Sequence, residues 1–135
     1  MTAPGADRRR PGGRTAHERR AAFRLGYWAE YAAAVFLMFK GYRILARRYS
    51  GNGGEIDLIA RRGDTVVFVE VKARADLDSA ALSISPTKQR RFARAAHHWQ
   101  ARNRWASNWT LRCDAVLIAP SRLPRHIVDA FTLPA

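Results

Sequence analysis

The sequence predicts an α/β fold in which helices flank a central mixed β-sheet, with the elements in the order αβββαββ. Three observations lead to this prediction. Two stretches have helical periodicity, short runs with strand-like alternation lie between and after them, and a Gly-Asp pair joins two of these runs as in a hairpin. With 135 residues, 47% of them apolar, the chain suffices for one domain with one core.

The first helix is predicted over roughly 16–39, and Gly41 supplies its C-terminal stop. Five apolar residues recur there at helical spacing and are expected to face the core: Trp28, Ala32, Val35, Phe36 and Phe39. Residues 1–15 are rich in Arg, Gly, Pro and Ala, so we expect a disordered basic N-terminal arm before a single domain over 16–135. A first strand is predicted over 42–49, with a basic end at Arg47 and Arg48.

A hairpin is predicted from strands at about 55–61 and 65–73, because the pair Gly63-Asp64 is typical of two-residue turns. A turn centred on this pair fixes the register of the two strands. Asp57 then lies opposite Glu70, and Glu55 opposite Lys72.

The second half of the chain begins with a predicted surface loop over 73–85, followed by a helix to about 103. Ser85 is its expected N-cap, and Pro86 its first residue. The apolar stripe of this helix consists of Phe92, Ala95, Ala96 and Trp99. A basic stripe lies beside it and consists of Lys88, Arg91, Arg94, His98 and Arg102. Strands are expected at 111–118 and 126–131.

The charge of the chain predicts a polyanionic partner. There are 24 Lys and Arg against 11 Asp and Glu, a net charge of +13. Nucleic acid, in the first place DNA, fits this charge better than a membrane does, and a solvated basic surface is the alternative. The longest apolar run has nine residues, too few to span a bilayer. The single Cys113 excludes an internal disulfide, which fits a cytoplasmic location.

The proposed opposition of Asp57 and Glu70 is the main chemical feature of the sequence. Directly opposed strand residues have Cβ atoms about 4.5–5.5 Å apart, and like charges there are destabilising. A hard divalent cation such as Mg²⁺ would explain the pair, and Lys72 could then orient the attacking water, so the pattern predicts metal-assisted phosphodiester hydrolysis. Two exposed carboxylates on a solvated sheet face are the alternative.

The remaining polar candidates have competing interpretations. Glu30 lies on an otherwise apolar helix surface and is either a metal ligand or paired with an arginine at a strand end. An ion pair with Lys72 would explain Glu55, and capping or a salt bridge would explain Asp114. The adjacent histidines at 97–98 point about 100° apart on a helix, which favours packing or phosphate contact over metal binding.

Two motifs carry a resemblance to a known family: Gly-Glu-Ile-Asp-Leu-Ile-Ala at 54–60 and Phe-Val-Glu-Val-Lys-Ala-Arg at 68–74. They resemble the YraN-like family of small bacterial proteins. That family is similar to archaeal Holliday-junction resolvases and belongs to the restriction-endonuclease-like superfamily with the PD-(D/E)xK signature. Lys-Gln-Arg-Arg at 88–91 and the strand containing Asp114 also agree, and the resemblance covers about residues 18–132.

The resemblance implies a restriction-endonuclease-like αβββαβ core with a mixed sheet, so that residues 16–135 form a nuclease-like domain. It implies Mg²⁺ or Mn²⁺ as cofactor, Asp57 and Glu70 as metal ligands and Lys72 as the catalytic lysine. Glu30 corresponds to the helical glutamate that completes the acidic site of resolvases. The expected nucleic-acid contacts are Arg74, Lys88, Arg91, Arg94, Arg47 and Arg48.

The sequence therefore predicts a metal-dependent DNA endonuclease, with branched or damaged DNA as candidate substrates. The alternative is a non-catalytic nucleic-acid-binding module with a nuclease-like fold, and a third hypothesis is an assembly factor that binds an acidic protein. Resolvase-like function implies a two-fold homodimer, which would cut symmetric strands, although the sequence identifies no dimer surface. The chain departs from the family pattern at two places. Ile56 stands where the superfamily signature has proline, and the loop 75–85 lacks the Phe-Gly expected after the lysine strand.

Overall fold

The computed structural model describes residues 16–73 and 85–133, with side chains from Tyr27 onward. The elements, in chain order, are α1 (Ala16–Phe39), β1 (Arg43–Gly51), β2 (Gly54–Arg62), β3 (Thr65–Ala73), α2 (Pro86–Arg102), a 3-10 turn (Arg104–Ala106), β4 (Thr110–Ile118) and β5 (Arg125–Phe131). This order confirms the predicted αβββαββ sequence of elements. The predicted basic arm, the loop after β3 and Arg74 lie outside the described residues.

The five strands form one mixed sheet in the order β1-β2-β3-β4-β5. Only β3 and β4 are parallel, and α2 lies in the crossover between them, as parallel neighbours require. Helix α2 packs on one face, against Ile59, Val66 and Phe68. Helix α1 packs on the other face, where Val67 and Val69 are buried. The predicted mixed sheet flanked by helices is therefore confirmed.

The predicted core face of α1 is wrong for its two largest outer rings, whereas Phe36 packs against the core as predicted. Trp28 and Phe39 are 67% and 88% exposed, and the residues buried against the sheet are Ala29, Ala33, Ala34 and Leu37. Small side chains allow the helix to lie close to the strands, so the large rings are left outside. The sequence could not distinguish the two faces, because α1 carries apolar residues on both.

Helix α2 begins and packs as predicted. The Ser85 hydroxyl accepts a hydrogen bond from the Lys88 amide at 3.2 Å, and Pro86 occupies the first turn. The predicted apolar stripe is buried: Phe92, Ala95, Ala96 and Trp99. Neither described helix is long and apolar enough to cross a membrane.

The contact between α2 and β2 depends on glycine. A Cβ atom added at Gly54 would come within 1.8 Å of the Arg91 carbonyl oxygen. Such a close approach of two backbones leaves no room for a side chain. Gly54 therefore brings the first turns of α2 against the end of β2 where Glu55 and Asp57 lie.

Candidate active site

The turn between β2 and β3 sets the position of the carboxylates. Gly63 has a φ of 57° in this turn, and the strands pair from Arg62 with Thr65 to Leu58 with Val69. This is the predicted register. Asp57 and Glu70 are the next residues after the last of these pairs.

Asp57 and Glu70 are adjacent acidic groups, of which Glu70 is buried and Asp57 is half-buried. Glu70 is 3% exposed, and one Asp57 carboxylate oxygen accepts a hydrogen bond from the Val71 amide at 2.8 Å. Burial and, next, the charge of Glu70 raise the pKa of Asp57 to about 7, although the Val71 hydrogen bond acts in the opposite direction. A second negative charge is therefore disfavoured here unless a proton or a cation accompanies it.

A cavity of about 390 Å³ opens in front of this pair. It is lined by Glu55, Asp57, Glu70, Ser85, Thr87, Lys88 and Arg91. The sheet contributes the carboxylates, whereas the N-terminal turns of α2 contribute the hydroxyls and the cations. The Lys88 ammonium forms an ion pair with Glu70. The arrangement can thus hold a cation on one side and an anion such as phosphate on the other.

Lys72 and Glu55 lie at the margin of this arrangement. Lys72 is 9% exposed and follows Glu70 on the same face of β3, since side chains of a strand alternate. It is not among the described residues that line the cavity. Glu55 is exposed and pairs with Ser50 of β1. Its predicted opposition to Lys72 falls beyond the last paired residues of β2 and β3, and so remains a prediction.

Glu30 lies in a second cavity, of about 270 Å³, lined by Tyr27, Glu30, Arg47 and Arg48. The Arg48 guanidinium donates to Glu30 at 2.8 Å, which is the strand-end ion pair considered above. Burial raises the pKa of Glu30, the Arg48 hydrogen bond lowers it, and the charge of Asp57 raises it further. Within the described residues, the second carboxylate oxygen of Glu30 is buried and accepts no hydrogen bond.

The donor set fits the implied metal in part. Among the side chains described, those of residues 27–73 and 85–133, no three from His, Cys, Asp or Glu converge as ligands for one ion. Glu30 is thus not gathered with Asp57 and Glu70. The pair alone still suits Mg²⁺, which commonly binds one or two carboxylates and completes its shell with water and substrate phosphate. A cation would also relieve the repulsion between the two acids.

The predicted nucleic-acid contacts are distributed around both cavities. Lys88 and Arg91 line the larger cavity, and Arg47 and Arg48 line the smaller one. Arg94 is exposed on α2. The hydroxyl groups of Ser85 and Thr87 were not predicted as site groups, although the capping pattern at the start of α2 located the turn that carries them.

Asp114 belongs to a buried structural network, as the salt-bridge interpretation expected. Arg112 donates two hydrogen bonds of 2.8 Å to its carboxylate, and His126 lies 2.7 Å from it. Burial alone would raise the pKa of Asp114, but the hydrogen bonds from His126, Arg112 and the Asp129 amide lower it to about 2. The Arg-x-Asp spacing, which places both side chains on one strand face, was the available signal for this network.

The fold and the site together define a small α/β protein whose sheet presents a pair of carboxylates to the cationic N-terminus of a helix. The chain belongs to the family described as Uncharacterised protein family UPF0102, whose model matches residues 29–118. This is the YraN family, so the predicted family resemblance is confirmed.

Several bacterial relatives share most of their length with this chain. A UPF0102 protein of Methylobacterium nodulans is 54% identical over 118 residues, which cover 87% of this chain and 92% of the relative. A UPF0102 protein of Methylorubrum extorquens is 54% identical over 130 residues, or 96% of each chain. A third, from Rhodopseudomonas palustris, is 51% identical over 126 residues, covering 93% of this chain and 96% of the relative.

Proposed function

We propose that this protein is a Mg²⁺- or Mn²⁺-dependent nuclease that hydrolyses phosphodiester bonds of DNA. One observation carries the proposal: Asp57 and Glu70 share a cavity with Lys88 and Arg91. A buried carboxylate next to a half-buried one is costly in a stable fold, and a metal-binding role would account for the pair. The cations on the opposite side match the charge of a phosphodiester.

The acidic side of the cavity would hold the metal through Asp57 and Glu70. A divalent cation bound there supplies a Lewis acid for the phosphate and lowers the pKa of a water ligand. Lys72, buried on the same strand face one pleat beyond Glu70, would steady the developing negative charge or orient the attacking water. Lys72 would thus act from its position on β3, although it does not line the cavity.

The basic side of the cavity would hold the substrate. Lys88 and Arg91 lie in the first turns of α2, where the helix dipole adds partial positive charge. The Lys88 ammonium neutralises Glu70 through their ion pair. A metal at the carboxylates would take over that neutralisation, and Lys88 would then be available to the phosphate.

The test separates cleavage from binding with a matched pair of variants, Asp57→Asn and Glu55→Gln. Both remove one negative charge from the same cavity, but only Asp57 is a proposed ligand. Purified proteins are incubated with single-stranded, duplex, flapped and four-way-junction DNA, with Mn²⁺ or with a chelator. We expect metal-dependent cleavage by the wild type and by Glu55→Gln. Asp57→Asn should lose cleavage and retain DNA binding.

A non-catalytic nucleic-acid-binding module is the second candidate, favoured by the net charge of +13. It predicts DNA binding that chelator and Asp57→Asn leave unchanged, with no cleavage of any substrate in the panel. Cleavage by Asp57→Asn equal to that of the wild type would instead contradict the assignment of the metal ligands.

A further inference from the structure

We infer that an aromatic surface on α1 binds the bases of an unpaired nucleic-acid strand beside the candidate active site. The surface, here called the aromatic platform, consists of Tyr27, Trp28 and Tyr31. These rings are 56%, 67% and 56% exposed. The inference rests on the proposed function and concerns the class of substrate that the site accepts.

The platform has the composition of a single-strand binding surface. Tyr27 and Trp28 are consecutive on α1, and Tyr31 follows four and three residues after them, the spacing at which side chains are neighbours on a helix surface. Isolated exposed aromatic residues are common, whereas such a group is not. Proteins that bind single strands without sequence preference combine such rings, on which bases stack, with cations that contact the backbone.

Two arginines supply those cations at the edge of the platform. The Arg48 guanidinium lies 4.8 Å from the centre of the Tyr27 ring. Arg47 and Arg48 are both exposed, and both line one cavity with Tyr27. In a chain of net charge +13, this combination of rings and cations is complementary to a polyanion that carries exposed bases.

The platform is also next to the carboxylate pair. In the pairing of β1 with β2, Arg47 lies opposite Leu58 and Tyr49 opposite Ile56. Arg48 is therefore beside Asp57 in the neighbouring strand, and neighbouring strands are about 4.8 Å apart. A strand whose phosphates contact Arg48 would consequently pass close to the site proposed for hydrolysis.

The backbone at Arg48 is strained in a way that fits this role. Its φ is 51°, a left-handed conformation that is costly for a residue other than glycine. The guanidinium is held there by Glu30 at 2.8 Å and by the Tyr27 ring. The strain is thus associated with a fixed position of the cation, between Glu30 and the Tyr27 ring of the platform.

These contacts indicate the substrate class. In a fully paired duplex the bases are stacked on each other and are not available to Trp28 or Tyr31. In a flap, a splayed end or a single strand they are available. The site should therefore accept DNA with an unpaired strand next to the cleaved bond in preference to plain duplex.

The test measures binding by fluorescence anisotropy in the presence of a chelator. One ligand is a labelled thymidine oligonucleotide, and the other is a strand of equal length made of abasic spacers, which keeps the phosphates and lacks the bases. The platform variant is Trp28→Ala/Tyr31→Ala. The matched control is Phe39→Ala, which removes a ring that is 88% exposed at the last residue of α1.

We expect the wild type and Phe39→Ala to bind the thymidine strand at least about tenfold more tightly than the abasic strand, the order of effect known for base stacking. The platform variant should bind both strands with the affinity of the wild type for the abasic strand. Because all three substituted rings are exposed, thermal unfolding should show that both variants are folded.

Equal binding of both strands by the wild type would overturn the inference, as would an equal loss in Phe39→Ala. The platform could instead be occupied by a second copy of the chain, and sedimentation velocity tests this alternative. A wild-type dimer that becomes monomeric in the platform variant, with the base preference unchanged, would also overturn it. The chelator prevents metal-dependent cleavage, so all of these binding results are independent of whether the protein is a nuclease.

Discussion

Asp57 has a protonation equilibrium that links the candidate site to the stability of the fold. Burial and the neighbouring Glu70 raise its pKa from 3.8 to about 7 in the folded protein. Between pH 3.8 and about pH 7, the native state therefore binds more protons than the unfolded chain. The free energy of unfolding of the metal-free protein should therefore decrease as the pH rises through this window.

The substitution Asp57→Asn tests this link, because it removes the titrating group and keeps an acceptor for the Val71 amide. We expect its melting temperature to exceed that of the wild type above pH 7 in chelator, where Asp57 is ionised. The difference should shrink near pH 4, where the wild-type carboxyl is protonated. Thermal unfolding monitored by circular dichroism over this pH range is the measurement.

The control for this prediction is Glu55→Gln, which changes an exposed carboxyl of the same cavity. It should give no comparable gain at high pH. Addition of Mn²⁺ should raise the melting temperature of the wild type above pH 7 but not that of Asp57→Asn, since ligands that bind only the native state stabilise it. A pH-independent difference between Asp57→Asn and the wild type would contradict the prediction.

At the scale of the elements, Gly54 determines how closely α2 approaches β2. A methyl group at this position would meet the Arg91 carbonyl oxygen at 1.8 Å and the Ala95 amide nitrogen at 2.9 Å, so the helix backbone has to move. We expect Gly54→Ala to lower the free energy of unfolding by about 1–3 kcal/mol, the usual cost of overpacking. Urea unfolding measures this.

Gly51→Ala is the comparison for this prediction. Its new methyl group would meet side-chain atoms of His98, the ring at 2.3 Å and the Cβ atom at 2.9 Å, and not the helix backbone that it meets at Gly54. The cost should be smaller than at Gly54. Gly54→Ala should also weaken DNA binding, because displacement of α2 moves Lys88 and Arg91. A stability equal to that of the wild type in Gly54→Ala would show that α2 does not lie as close as described.

The elements also show what the sequence could and could not predict. The β2–β3 register was predictable because a two-residue turn fixes it and alternation assigns the faces, so Asp57 and Glu70 could be placed together. The face of α1 was not predictable, because Trp28 and Ala33 follow apolar periodicities that compete for the same sheet. The partner of Glu30 could not be chosen either, since it depends on how α1 lies over β1.

At the scale of the whole molecule, the net charge of +13 predicts binding that depends strongly on salt. Each phosphate contact contributes about 0.9 to the slope of log affinity against log salt for duplex DNA. The double variant Lys88→Gln/Arg91→Gln should therefore reduce that slope by about 2. Anisotropy titrations of labelled duplex at several salt concentrations give the slope.

The control for the salt dependence is Arg104→Gln, an exposed arginine that lines a different cavity, with His97 and Asn103. It should leave the slope nearly unchanged. An equal reduction by Arg104→Gln would indicate that DNA binds diffusely over the basic surface, without a preferred face around the carboxylate cavity.

The position of β1 at the edge of the sheet has a consequence for how the protein behaves at high concentration. A free sheet edge can pair with another chain and start aggregation, and natural proteins prevent this with charged side chains and irregular backbone. β1 has both, because Arg43, Arg47 and Arg48 are exposed and its pairing with β2 shifts between Ile44 and Ala46. Two of these arginines, Arg47 and Arg48, are also the ones assigned to phosphate binding, so variants that neutralise them should aggregate more readily at high concentration.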